Sequence, residues 1–135
     1  FMFSSCFTQE LVKKQSDAIL LIEQKERFIN KPLKVLLKEI KPAIKYAYGE
    51  DAKDHGMPAY FRFKFVTNEQ TDSLLKKGLH PISIRVYVKE NNIDWFGRTK
   101  RTKKTGTSWT SDDYINYSNF TVINIEIYGE TTVDN

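Results

Sequence analysis

Cysteine is almost missing from this chain of 135 residues; with Cys6 alone, no intrachain disulfide is possible. Histidine is scarce too, with only His55 and His80 as imidazole ligands, which leaves little for a histidine-based metal centre. The 6 glycines are scattered as turn residues and form no Gly-rich phosphate loop. No serine sits in a nucleophile-elbow motif. No apolar run approaches the roughly 20 residues that a helix needs to span a bilayer. Internal repeats and low-complexity segments are absent. What is present is ordinary: 40% hydrophobic and 28% charged residues, a globular composition at a size that suits one domain with its own core. The net charge of +4 leans mildly towards acidic partners or an anionic surface.

The best-specified stretch runs from Phe28 to Gly49. Leu33, Leu36, Leu37 and Ile40 fall on one helical stripe, and Pro32 stands where a missing N–H is harmless. Pro42 cannot extend that helix, so it ends near Ile40. The period then drops to two, with Ile44, Tyr46 and Tyr48 alternating against Ala43, Lys45 and Ala47. Upstream, Leu11, Ala18, Leu21, Ile22 and Phe28 predict one helix over Glu10–Arg27. Thr67 and Gln70 have capping-box spacing before a helix over Glu69–Lys77, which Gly78 closes in the left-handed region. Thr110 and Asp113 repeat that spacing before a short helix ending at Tyr117.

Strands are predicted over Tyr60–Thr67, Ile82–Lys89 and Phe120–Tyr128. Phe61, Phe63 and Phe65 share one face, and burying each is worth about 2–3 kcal/mol. Ile84 and Val86, then Ile123, Ile125 and Ile127, do the same on the later strands. The expected fold is α+β: a two-layer sandwich of a four-stranded, mainly antiparallel sheet with helices on one face. Residues 10–129 form the domain, 1–9 a signal-peptide remnant and tether, and 130–135 a frayed tail.

Two regions are candidates for binding. The outward sheet face carries Tyr60, Arg62, Lys64, Arg85, Tyr87, Lys89, Glu126 and Tyr128, in which cations interleave with aromatics as a phosphate-contacting, base-stacking platform requires. A plain solvated face has the same alternation. The second is the long connection from Asn91 to Asn119, where Arg98, Lys100, Arg101, Lys103 and Lys104 lie between Trp95 and Trp109. Such a cationic loop gains about 1 kcal/mol per basic residue near anionic lipid, and it also suits phosphate groups or an acidic protein. Glu50, Asp51, Asp54 and His55 cluster in one loop, but their spacing matches no metal cage, so no metal and no cofactor is expected. Asp94 with Asp112 or Asp113 would be the carboxylates of a small hydrolase, the weakest of the readings.

The stretch Phe3-Ser4-Ser5-Cys6 resembles the end of a bacterial lipoprotein signal peptide. That resemblance implies lipidation of Cys6 and a domain held at the cell envelope, facing the periplasm or exterior. The alternative for Cys6 is a free thiol at the chain's start. Together these residues describe a non-enzymatic, membrane-tethered binding domain. The alternative is a soluble, cytoplasmic protein that binds nucleic acid or another polyanion through the sheet face and the 98–104 loop.

Overall fold

Four antiparallel strands in sequential order form the backbone of the fold, which a computed structural model describes for residues 10–53, 56–97, 101–102 and 105–133. They are β1 (Tyr46–Glu50), β2 (Ala59–Lys64), β3 (Ser83–Val88) and β4 (Val122–Tyr128). The helices are α1 (Leu20–Glu23), α2 (Leu33–Leu37), α3 (Asn68–Lys76) and α4 (Ser111–Tyr117). The architecture is α+β, as the alternating strands predict. Phe61 faces Val86 and Phe63 faces Ile84 across β2 and β3, and Val86 faces Ile125 across β3 and β4. These side chains form the inner sheet face, and all are fully buried. Leu21 of α1, Leu33 and Leu36 of α2, and Tyr117 of α4 complete the same core. By contrast, the buried residue of α3 is Thr71. Both capping boxes form: Thr67 Oγ1 accepts from Gln70 N at 3.1 Å, and Thr110 Oγ1 from Asp113 N at 3.2 Å. Gly78 has the left-handed φ of 75°.

The segment expected as one helix over Glu10–Arg27 is instead broken into a 3-10 turn, Gln15–Ile19, then α1, then a second 3-10 turn, Lys25–Arg27. Its buried residues explain the tighter winding. Gln15 and Ala18 in the first turn, and Leu21 just after it, are buried at a spacing of three, the period of a 3-10 helix. Before it, Val12 is held extended: its N–H donates to Glu39 O and its carbonyl accepts from Lys41 N, both at 2.9 Å.

The facing of β1 is decided by packing, and two further expectations change. In β1 the small residues Ala47 and Gly49 face inward, while Tyr46 and Tyr48 face outward. A Cβ on Gly49 would lie 2.9 Å from both Ile93 Cγ2 and Trp95 Cε3, so only glycine fits there. In β4 a bulge pairs Val88 with Val122 and Tyr87 with Asn124, leaving Ile123 as the extra residue. Val122 is therefore buried and Ile123 is 38% exposed. Lastly, residues 130–133 are tied down instead of frayed. Thr131 N donates to His80 O at 2.9 Å, Ile82 N to Thr131 O at 3.3 Å, and Val133 N to Gln15 Oε1 at 3.1 Å. Residues 134–135 lie outside the described residues, as does the tether at 1–9.

Candidate functional site

The long connection before α4 sends Ile93 and Trp95 into the core and Trp109 against it. Trp95 is 3% exposed, and its Nε1 donates to Gly106 O at 2.8 Å. Ala47 N of β1 donates to Thr107 O at 2.7 Å, which holds the loop against the sheet. Trp109 meets Phe63 edge-on with centroids 5.4 Å apart, and Tyr117 packs at 5.2 Å from Phe61. Arg101 is the keystone. Its guanidinium pairs with both Asp113 oxygens, donates to Trp95 O, reaches Ser108 O at 3.3 Å, and lies 3.4 Å over the Trp95 ring. The Arg101 side chain is 2% exposed and that of Asp113 is fully buried. Asp113 also accepts from Thr110 N at 2.8 Å, so one carboxylate caps α4 and neutralises the arginine.

Trp95 and Arg101 are therefore not available to a partner, and Trp109 is partly buried against the core. Arg98, Lys100, Lys103 and Lys104 lie outside the described residues. Asp113 is committed to Arg101, Asp94 Oδ1 accepts from Gly97 N at 3.0 Å, and Asp112 is exposed on α4, so Asp94 and Asp113 stand in separate structural roles. Glu50 is engaged by Tyr48 and Lys53, and Asp51 accepts from Ile93 N at 3.3 Å. Asp54 and His55 lie outside the described residues. Among the described residues no group of three His, Cys, Asp or Glu side chains could hold a metal ion.

The outer sheet face does bring its candidates together. Register sets Tyr46 opposite Lys64, Tyr48 opposite Arg62, Arg62 opposite Arg85, and Tyr60 opposite Tyr87. The cations lie over phenol rings: Lys64 Nζ is 4.5 Å from the Tyr46 centroid, and Arg85 is 4.7 Å from Tyr60 and 5.1 Å from Tyr128. Arg62 lies 5.9 Å from Tyr60. Ion pairs among the described residues join Arg27 to Glu39, Lys53 to Glu50 and Arg101 to Asp113, and Arg62, Lys64 and Arg85 stand in none of them. Arg85 Nε is a buried donor with no hydrogen-bond partner, although Nη1 reaches the Tyr87 hydroxyl at 3.4 Å.

Tyr87 is itself buried on this face and acts as a brace, donating to Glu126 at 3.0 Å. Lys89 is exposed, but it lies past the end of β3 and away from the other cations' hollow. Burial, then the neighbouring Arg62 charge, lowers the Lys64 pKa. Hydrogen bonds from Tyr128 and Tyr87 hold the Glu126 carboxyl below its usual range. Tyr48 is pushed up to about 12, chiefly by its hydrogen bond to Glu50.

A hollow of about 550 Å³ opens where this face meets α3 and the 129–130 turn. Arg62, Lys64, Ser83 and Arg85 line it from the sheet, Thr71 and Leu75 from α3. His80, Pro81, Tyr128 and Glu130 complete its rim. α3 and the pinned tail were not among the candidates read from sequence, because only the fold carries them to this face. No protein-family model matches the chain, and no curated protein or solved structure is significantly similar to it.

Proposed function

We propose that the protein is a non-enzymatic binding domain that takes an anionic partner on the outer face of its sheet. The observation that carries this reading is the convergence of Arg62, Lys64 and Arg85 on one hollow, none of them in an ion pair among the described residues; Glu126, opposite Arg85 in the register, is held by the Tyr87 and Tyr128 hydroxyls. Opposed cations on neighbouring strands repel each other, and an anion between them removes that repulsion. The phenol rings support the arginines and the lysine instead of lying open. A nucleobase would have to displace a cation to stack, which favours an anionic partner recognised by charge over a single-stranded nucleic acid.

Heparin binding to the whole protein tests the reading. Arg62→Gln combined with Lys64→Gln is expected to weaken it at least about tenfold and to reduce the salt slope by about 2. Arg98→Gln combined with Lys100→Gln should do less. Unchanged affinity in the face variant would overturn the proposal. The location belongs to the same proposal: lipid on Cys6 holds the domain at a bacterial cell envelope, a reading supported by Phe3–Cys6. Palmitate labelling in a bacterial host is expected, with loss in Cys6→Ser; labelling that survives the substitution rejects the tether.

A further inference from the structure

The hollow on the outer face has walls of three kinds, and each kind selects for something different. Its floor is cationic: Arg62 and Arg85 are directly opposite across β2 and β3, with Lys64 one outward position along, opposite Ser83. Arg85 Nε is a buried donor without a hydrogen-bond partner among the described residues. Three cationic groups on one floor match the several oxygens of a phosphate or sulfate ester, which accept charge-assisted hydrogen bonds. Its sides are partly apolar, with Leu75 and Tyr128 each 47% exposed beside Pro81. Its rim carries one carboxylate, Glu130, whose backbone N–H donates to His80 O at 3.0 Å. That rim is rigidly built. Gly129 has φ 78°, and a Cβ there would collide with the Pro81 carbonyl oxygen. A carboxylate at the mouth accepts from the hydroxyl groups of a ligand.

The volume of about 550 Å³ exceeds what a bare phosphate fills and lies within the range of about 300–1,000 Å³ typical of small-molecule sites. We infer that this hollow is a subsite for one phosphorylated or sulfated sugar unit. The ester oxygens sit on Arg62, Lys64 and Arg85, the ring lies against Leu75 and Tyr128, and a hydroxyl donates to Glu130. The inference rests on the anionic-partner reading above and narrows it to one unit of that partner.

Calorimetric titration of the whole protein with glucose 6-phosphate, inorganic phosphate and glucose tests it. Glucose 6-phosphate is expected to saturate at one equivalent, about fivefold tighter than inorganic phosphate, the worth of one net hydrogen bond. Glucose alone is expected not to saturate. Arg85→Gln should weaken both phosphates, whereas Glu130→Gln should weaken the sugar phosphate and spare inorganic phosphate. Circular dichroism establishes that both variants fold. Equal affinity for the two phosphates, or an Arg85→Gln variant that binds like the parent, overturns the subsite. If heparin binding still depends on Arg62 and Lys64 in that event, the anionic face survives and only the sugar subsite falls. If heparin binding is indifferent to the face, both fall. Binding by heparin but not by the monosaccharide also rejects the subsite, since it locates recognition in polymer charge alone.

Discussion

Arg101 and Arg85 are both arginines laid over aromatic rings, one on each side of the sheet. Arg101 sits 3.4 Å over Trp95 with Asp113 bound to it, and the pair is sealed from water. Arg85 sits between Tyr60 and Tyr128 in no ion pair among the described residues, with Glu126 opposite it bound instead to two tyrosine hydroxyls, and it opens on a hollow. The ring contact is common to both, so it cannot be what separates structure from function here. The counter-ion separates them. A buried guanidinium requires a partner carboxylate and satisfied hydrogen bonds; a guanidinium at a hollow keeps its charge for whatever enters.

That contrast can be broken most sharply at Asp113. Asp113→Asn leaves the Arg101 charge buried without a counter-ion and is expected to destabilise the fold by about 3–5 kcal/mol in urea unfolding. Arg62→Gln on the open face should stay within about 0.5 kcal/mol of the parent. Similar losses in the two variants would remove the distinction between the two regions. A second, smaller loss is expected at Gly49→Ala, where the added methyl overpacks the wall between β1 and the Trp95 loop. About 1–3 kcal/mol is expected in the same unfolding experiment. A change near zero would mean that the loop yields, and that the inner side is less rigid than described.

The smallest effect concerns the tyrosines of the open face. Tyr48 has its pKa raised to about 12 in the fold, above the ordinary phenol value of 10.0. A raised folded pKa means that the contribution is fully present below pH 10.0 and is lost as pH climbs through about 12. Ultraviolet absorbance titration is expected to show Tyr48 ionising late, alongside Tyr46 and Tyr128, and Glu50→Gln should move Tyr48 earlier, because the bond to Glu50 is the leading cause. A titration with no late step removes the Tyr48–Glu50 contact from the account of this face.

Much of the fold was legible because it depends on neighbours in sequence. Alternation in Tyr60–Lys64 separates Phe61 and Phe63 from Arg62 and Lys64, whatever the rest of the chain does. The boxes at Thr67–Gln70 and Thr110–Asp113 close within four residues. The broken first helix was harder to see, since Ala18 and Leu21, three apart, suit a helix of either pitch. Alternation alone did not say which side Tyr46 and Tyr48 take; the crowding of Ile93 and Trp95 against Gly49 puts the small residues inside.

The candidate site divides along the same line. That Arg62, Lys64 and Arg85 share a face follows from a two-residue period and needs no coordinates. That Arg101 is withdrawn from solvent could not be read from a basic run between two tryptophans. Its fate is set by Asp113, twelve positions away, and by the burial of Trp95, both products of packing. The hollow is likewise assembled from β2, α3, β3 and the 128–130 segment, which are distant along the chain. Local periodicity is carried by steric and hydrogen-bonding rules that act over a few residues. Desolvation and charge pairing depend on which distant groups arrive alongside, and only the folded chain supplies those neighbours.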